Sequence, residues 1–337
     1  MEQDNFTSTE IRRIFRLDEK LTARQTLFNA ESRDEIPRST RMARGKTQVR
    51  QWSINQLPEI GKRFGFLEKP TSQKAVCIFT QKGGTLKSTL TYTFARATAI
   101  NGIKTIVVGL DIQASITNLL LPVMVESLTE LSAVRNRPGL FHIFYEDAGL
   151  ADVIKKTDLP TLDVIPETAS LAMLAKMIPA NGSKQNPYTL FKDKLLPLLA
   201  EYDLVIFDNA PNWSPLVENA LTAAQSVIAP VACDVGTYQV LDNNLAALNE
   251  FQAAFKIEWD NFIMVPTLLE KSKISQQIYA AYVANHAEAV LPVPIRRAVI
   301  GQESSALNRS VLEYDPASDL AQDYFELMKA LWKKVAG

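Results

Sequence analysis

The chain has 337 residues, of which 47% are hydrophobic and 22% are charged, as in an ordinary globular protein with room for two domains. Two cysteines without CxxC spacing and only two histidines give poor support to a disulfide framework, a zinc or iron–sulfur site, or histidine-based catalysis. The polar N-terminus does not resemble a signal peptide, and apolar runs are too short for a membrane span, so we expect a cytoplasmic protein.

Charge is distributed unevenly along the chain. Residues 1–70 carry 14 Lys and Arg against 10 Asp and Glu, whereas the remainder carries 22 against 27. This asymmetry predicts an N-terminal module that faces an anion.

The first 67 residues have the pattern of a small helical domain with a basic hairpin. Thr7 and Glu10 have capping-box spacing before a first helix, and Thr22 is the expected N-cap of a second helix that runs to about Arg33. Five residues of 38–50 are basic and none is acidic, and a short strand then leads to a helix over 54–64. Two helices followed by such a hairpin have the layout of a winged helix-turn-helix.

Segments 22–31, 35–38 and 49–57 resemble the DNA-binding module of the MerR type. The resemblance implies that side chains at the start of the second helix reach base edges, and that the basic hairpin contacts phosphates. The expected DNA-binding residues here are Arg24, Gln25, Arg41, Arg44, Lys46 and Arg50. A protein-docking domain with a solvated basic face is the alternative. We predict this domain over 1–67, a polar linker over 68–73, and a second domain over 74–337.

The second domain begins with a phosphate-binding loop. An apolar strand over 75–80 runs directly into Lys82-Gly83-Gly84-Thr85-Leu86-Lys87-Ser88, and a helix is predicted from Ser88 to about Asn101. Glycines let backbone N–H groups surround phosphates, the second lysine reaches the β- and γ-phosphates, and the serine hydroxyl ligates Mg²⁺. We therefore assign ATP binding to residues 82–89, which are Lys82, Gly83, Gly84, Thr85, Leu86, Lys87, Ser88 and Thr89.

Apolar runs alternate with amphipathic stretches over the rest of the chain. Further strands are predicted over 105–109, 162–166, 203–208, 226–232, 262–268 and 290–295. Helices are predicted over 190–201, 238–255, 275–287 and 319–335. Continuous apolar strands that alternate with helices predict an α/β fold with a mostly parallel sheet flanked by helices.

Two carboxylates end core strands. Asp111 follows the apolar run 106–110, and Asp208 ends the run 204–207. Because an unpaired buried charge is costly, two such residues beside a phosphate loop indicate a site for Mg²⁺ and a triphosphate.

The loop 82–88, Asp111-Ile112-Gln113, Asp208-Asn209-Ala210-Pro211 and the late segment 311–316 together resemble the ParA/MinD group of deviant-Walker P-loop NTPases, and specifically the ParA partition ATPases. The resemblance implies an ATP-sandwiched homodimer in which Lys82 crosses to the partner's phosphates. It also implies that Lys87 and Ser88 hold the phosphates and Mg²⁺, that Asp111 positions the attacking water, and that Asp208 supports Mg²⁺.

Two positions depart from that family's pattern. Leu86 replaces a common glycine, and Gly109 stands where many members have an additional aspartate. We expect neither change to abolish hydrolysis.

The resemblance further implies DNA binding without sequence preference, a nucleoid-associated location and a ParB-like adaptor protein as partner. Lys271, Lys273, Arg296 and Arg297 are the candidate phosphate contacts in the last third of the chain. Two alternatives remain open. One is a MinD-like membrane-positioning ATPase anchored by the amphipathic last helix, which we expect instead to pack on the sheet. The other is an ATP-switched transcriptional regulator.

Overall fold

The N-terminal module is a small antiparallel sheet with three helices. The computed structural model describes residues 5–17, 23–44, 47–121, 137–180 and 186–337. The elements of the module are β1 (Asn5–Thr7), α1 (Ser8–Ile14), α2 (Ala23–Ser32), β2 (Thr40–Arg44), β3 (Thr47–Ser53) and α3 (Leu57–Phe64). The strand order is β1-β3-β2, and the sequence did not indicate β1.

The predicted capping box of α1 is confirmed. The Glu10 backbone N–H donates to the Thr7 hydroxyl, and the Glu10 carboxylate accepts from the Thr7 backbone N–H at 2.7 Å. Thr22, the expected N-cap of α2, lies outside the described residues.

Seven strands form the sheet of the larger part of the chain. They are β4 (Lys74–Ile78), β5 (Thr105–Leu110), β6 (Lys155–Lys156), β7 (Leu162–Ile165), β8 (Leu204–Asn209), β9 (Ser226–Ala232) and β10 (Asn261–Thr267). Their order is β10-β9-β4-β8-β5-β7-β6, and every pair is parallel except β6 with β7. The predicted α/β fold with a mostly parallel sheet is confirmed.

Helices cover both faces of this sheet. The longer ones are α4 (Lys87–Ile100), α8 (Leu171–Ala180), α10 (Pro215–Ala223), α11 (Val235–Phe255), α12 (Lys273–Asn285), α13 (Val299–Ala306) and α15 (Asp319–Ala336). The shorter ones are α5 (Ser115–Leu120), α6 (Leu140–Tyr145), α7 (Leu150–Val153), α9 (Leu196–Leu198, preceded by a π-helical turn Phe191–Leu195) and α14 (Val311–Tyr314).

The strand predicted over 290–295 is wrong. The segment runs beside β10 but forms only two isolated bridges, between Met264 and Val290 and between Leu269 and Arg296. Pro292 and Pro294 have no N–H to donate, so a continuous ladder cannot form there.

Consecutive residues of the core strands contribute to different apolar layers. In β4, Val76 and Ile78 belong to the layer under α4 and α15, whereas Ala75 and Cys77 belong to the opposite layer. Both faces are buried, which explains why these strands are continuous apolar runs. The apolar side of α15, including Leu327, Leu331 and Trp332, is buried, so the expectation that the last helix packs on the core is confirmed.

Candidate nucleotide-binding site

The loop between β4 and α4 leaves open space above its glycines. A β-carbon added at Gly83 or Gly84 would meet no atom within 4 Å, and Gly84 has a left-handed φ of 76°. Leu86, the N-cap of α4, is also left-handed, with φ 68°, and its side chain packs against the core. A non-glycine residue is roughly 1–2 kcal/mol less stable in that conformation. Leu86 adopts it nevertheless, so the loop has this conformation with leucine in place of glycine.

The two lysines of the loop lie in different environments. Lys87 is 7% exposed, and its Nζ donates to the Lys82 carbonyl oxygen at 2.9 Å. Burial lowers the pKa of Lys87, while the charges of Asp208 and Asp111 oppose that shift. The Lys82 side chain is exposed, and its Nζ lies 3.8 Å from the place of a β-carbon on Gly236. One lysine therefore faces into the site and the other faces out of it.

Asp208 is held by two hydroxyl groups of α4. Ser88 Oγ donates to Asp208 Oδ2 at 2.8 Å, and Thr91 Oγ1 donates to Asp208 Oδ1 at 2.6 Å. Asp208 is fully buried, and desolvation raises its pKa to about 6 although both hydroxyl hydrogen bonds lower it. Sequence reasoning missed Thr91. Its position one helical turn after Lys87 was the available signal.

The oxygen donors at Ser88 and Asp208 suit Mg²⁺, which prefers hard oxygen ligands and usually completes its shell with water and substrate phosphates. Within the described part of the chain, no group of three or more His, Cys, Asp and Glu side chains could hold a metal ion. Because Ser88 and Asp208 would supply only part of the ligand shell of Mg²⁺, the residues present fit an ion that arrives with a nucleotide.

Asp111 lies at the mouth of the site in a tight turn. Its Oδ1 accepts from the Gln113 backbone N–H at 3.0 Å, and its carbonyl accepts from the Ala114 N–H at 2.9 Å. Ala114 has a left-handed backbone with φ 56° and is the N-cap of α5. The carboxylate is half-buried, so it can reach a ligand above the strand ends.

A third carboxylate, Glu167, follows β7. It is 6% exposed, and burial, reinforced by the charges of Asp208 and Asp111, raises its pKa to about 8. A β-carbon at Gly109 would lie 2.5 Å from Glu167 Cγ, so this side chain fills the space above Gly109. Sequence reasoning missed Glu167 although it carries the signal that identified Asp111 and Asp208, a carboxylate just after a core strand.

Comparison with known proteins identifies the family of the chain and several proteins of similar sequence. The profile of a family described as "AAA domain" matches residues 73–261, more than half of the chain. The chain belongs to this family. It is 28% identical to the sporulation initiation inhibitor protein Soj of Bacillus subtilis over 260 residues, which are 76% of this chain and 97% of Soj. It is 25% identical to the chromosome partitioning protein ParA of Caulobacter vibrioides over 259 residues, 76% of this chain and 92% of that protein.

A solved structure has the same fold. The complex of Cyanothece McdA with ATP superposes with a TM-score of 0.66 at 18% identity, over 77% of this chain and 96% of McdA. The protein is an ATPase of the ParA/Soj type, homologous to the partition ATPases. The family match begins after the N-terminal module.

The candidate DNA-binding residues of this ParA-type chain differ in what they contact in the N-terminal module. Gln25 is exposed on α2 and donates to Asn29 Oδ1 at 2.9 Å, and Arg41 is exposed on β2. Arg50 pairs with Glu31 at 2.8 Å and lies 4.7 Å from the centroid of the Phe28 ring. The side chains of Arg24 and Arg44, and all of Lys46, lie outside the described residues.

Two of the four candidate basic residues in the last third are paired with acids. Arg296 binds Asp319 and Asp323, each at 2.7 Å, and Arg297 binds Glu270 at 2.7 Å. An open cleft of about 380 Å³ is lined by Arg296, Arg297, Glu270 and Asp323. Lys271 and Lys273 are exposed at its side, so they are the cations of this group best placed to meet a phosphate.

Proposed function

We propose that the protein is a DNA-segregation (partition) ATPase that binds Mg²⁺ and ATP at the loop 82–89 and forms an ATP-sandwiched homodimer. The observation that carries the proposal is the pair of lysines, one buried beside Asp208 and one exposed on the same loop. Homology to Soj and to ParA supports the same function.

Each residue has a definite task in this proposal. When bound, Mg²⁺ neutralises part of the charge that develops on the phosphates. Ser88 and Asp208 hold the ion, and Lys87 leaves the Lys82 carbonyl to contact the β- and γ-phosphates. Asp111 orients the attacking water, and Lys82 reaches the phosphates bound by the partner subunit.

Substitution of the two lysines tests this assignment. Lys87→Ala should remove ATP binding because it deletes the buried cation that faces the phosphates. Lys82→Ala should keep ATP binding within its own subunit and lose ATP-dependent dimers. Titration with a fluorescent ATP analogue measures the first effect, and light scattering with ATP measures the second.

A third variant completes the test. Asp111→Ala should accumulate ATP-bound dimers that do not turn over. Unchanged ATP affinity of Lys87→Ala would exclude the loop assignment, and wild-type dimerisation of Lys82→Ala would exclude its role across the interface.

We further propose two kinds of DNA binding, together with a ParB-like adaptor that stimulates hydrolysis at the nucleoid. The N-terminal module reads a short inverted repeat, because a two-fold dimer presents two α2 helices to two half-sites. Lys271 and Lys273 contact phosphates of arbitrary DNA, and each should contribute roughly one unit to the salt slope.

Footprinting with full-length variants distinguishes the two modes. Gln25→Ala and Arg41→Ala should weaken protection of the specific site and leave ATP-dependent binding to arbitrary DNA. Lys271→Ala with Lys273→Ala should do the reverse. If the N-terminal variants protect the same site with wild-type affinity, this module is a docking domain.

An ATP-switched transcriptional regulator is a second candidate. It is favoured by the packing of α3, in the N-terminal module, against α4, which starts at the nucleotide loop. Wild-type repression by a variant that binds ATP without hydrolysing it would support this candidate over partition.

No described helix is both long and apolar enough to cross a bilayer.

A further inference from the structure

Glu167 ties the end of β7 to the helix that follows Asp111. Its Oε2 accepts from the Thr117 backbone N–H at 2.9 Å, and its own backbone N–H donates to the Thr117 hydroxyl at 2.8 Å. Thr117 lies in the first turn of α5, and both of its groups are buried. Two hydrogen bonds in opposite directions therefore anchor α5.

The same helix is joined to Asp111 through its first residues. The Ala114 N–H donates to the Asp111 carbonyl at 2.9 Å, and the Asn118 N–H donates to the Ala114 carbonyl at 3.0 Å. Because these bonds form an unbroken chain, a shift of the first turn of α5 moves the Asp111 turn with it.

Glycine at position 109 makes room for this anchor. A β-carbon there would lie 2.5 Å from Glu167 Cγ, 2.7 Å from Glu167 Cδ and 3.0 Å from Ile116 Cγ2. The φ of Gly109 is not left-handed, so backbone conformation does not require glycine. The requirement comes mainly from the side chain of Glu167, with a smaller part from Ile116.

Packing alone does not account for an acid at position 167. Its Oε1 is buried and has no hydrogen-bond partner in the described part of the chain. An unsatisfied buried oxygen costs stability; an apolar side chain of the same length would remove that cost but would leave the Thr117 N–H without its acceptor. The hydrogen bond that Oε2 accepts, rather than the filling of space, therefore accounts for an acid at this position.

We propose that Glu167 is a positioning residue for ATP hydrolysis, which anchors α5 through Thr117 and thereby holds Asp111 in its catalytic orientation. The inference rests on the proposed function, because it takes Asp111 as the residue that orients the attacking water. It adds a residue that follows β7 to a site otherwise built from the ends of β4, β5 and β8 and the start of α4.

A matched pair of full-length variants tests the role. Glu167→Gln keeps an acceptor oxygen for the Thr117 N–H, whereas Glu167→Met keeps the length of the side chain and removes the acceptor. We expect kcat within about threefold of wild type for Gln and a loss on the order of tenfold to a hundredfold for Met. KM for ATP should stay unchanged in both, because the loop 82–89 is not altered.

Gly109→Ala provides an independent route to the same effect. Its β-carbon should displace the Glu167 carboxyl and lower kcat, but it should cause much less further loss in a Glu167→Ala background, where only the 3.0 Å approach to Ile116 Cγ2 remains. The rate of hydrogen exchange of the Thr117 amide in ligand-free protein measures the hydrogen bond to Glu167 independently of ATP hydrolysis. It should be slow in wild type and Glu167→Gln, and fast in Glu167→Met.

The outcomes separate this inference from the proposed function. Wild-type kcat in Glu167→Met would overturn the inference alone, and so would a loss of kcat accompanied by an equal loss of ATP affinity. A wild-type protein that hydrolyses no ATP with DNA and Mg²⁺ would overturn the proposed function, and the inference with it.

Discussion

At the scale of single residues, stability and function oppose each other at Asp208. The carboxyl is fully buried, and its pKa is raised from the ordinary 3.8 to about 6 because desolvation outweighs the hydrogen bonds from Thr91 and Ser88. The folded chain therefore binds this proton more tightly than the unfolded chain. The contribution of this carboxyl to the free energy of unfolding is therefore greatest below about pH 4 and is lost as the pH rises through 6.

Asp208→Asn should remove this dependence and with it Mg²⁺-dependent hydrolysis. We expect the ligand-free variant to gain stability over wild type as the pH rises from 4 to 7, by about 2–3 kcal/mol and mostly below pH 6. Urea denaturation at several pH values measures the gain. Asp242→Asn, at an exposed site on α11, is the control and should show no such trend. A gain that does not change with pH would contradict the explanation.

At the scale of elements, α4 joins the nucleotide loop to the C-terminal region. Arg96, 2% exposed, binds Glu313 of α14 at 2.6 Å and Asp158 at 2.8 Å, and the Tyr92 hydroxyl donates to the Asn308 carbonyl at 2.6 Å. The side chain of Glu313 is 1% exposed. Arg96 is the cation that pairs with both Glu313 and Asp158, so its loss would leave both carboxylates without this partner.

Arg96→Leu should destabilise the protein by about 3–5 kcal/mol, because it leaves the Glu313 charge buried and unpaired. Combining it with Glu313→Leu should recover much of the loss, since neither charge is then buried. Chemical denaturation measures both variants. Arg38→Leu, which breaks the exposed pair of Arg38 with Asp34, should cost less than about 1 kcal/mol. Equal losses in the single and double variants would refute a role for the unpaired charge.

At the scale of the whole molecule, the N-terminal module and the ATPase sheet share one hydrophobic core. Phe66 packs on Phe325 with ring centroids 4.5 Å apart, and Trp332 Nε1 donates to the Glu68 carbonyl at 2.7 Å. Asn101 Oδ1, just after α4, accepts from the N–H groups of Phe66 and Leu67. Deleting residues 1–67 would expose the apolar faces of α4 and α15, so point variants in the full chain are the sounder test of DNA binding.

Gly61→Ala should separate α3 from α4. Its β-carbon would lie 1.7 Å from the Ile100 carbonyl oxygen, and neither backbone can yield without moving its helix. We expect a loss of roughly 1–3 kcal/mol, as for an overpacked core, seen as a lower melting temperature of the full-length chain. Lys62→Ala, at the exposed neighbouring position, should melt like wild type, and the same result for Gly61→Ala would show that the contact is dispensable.

Much of the fold and part of the site follow from local pattern. Both faces of strands β4, β5, β8 and β9 are buried, and these strands are therefore continuous apolar runs. Such runs can be located in the sequence alone. The phosphate loop is a contiguous segment, and Asp111 and Asp208 are marked by their place at strand ends. Local patterns thus predicted the α/β class, which the structure confirms, and also the candidate nucleotide loop and two acidic residues beside it, which stay predictions.

The tertiary structure decided which distant residues meet. Thr91 reaches Asp208 across 117 positions, and Glu167 reaches Thr117 across 50, so no local pattern reveals either contact. Arg296, which stays a predicted DNA contact, pairs with Asp319 and Asp323 of α15, and the sequence did not indicate these pairs. Segment 290–295 has the apolar character of a strand but runs beside β10 without a continuous ladder. The three side-chain contacts depend on a partner that the fold brings near, and neither spacing nor composition encodes that partner, whereas Pro292 and Pro294 already mark segment 290–295 in the sequence.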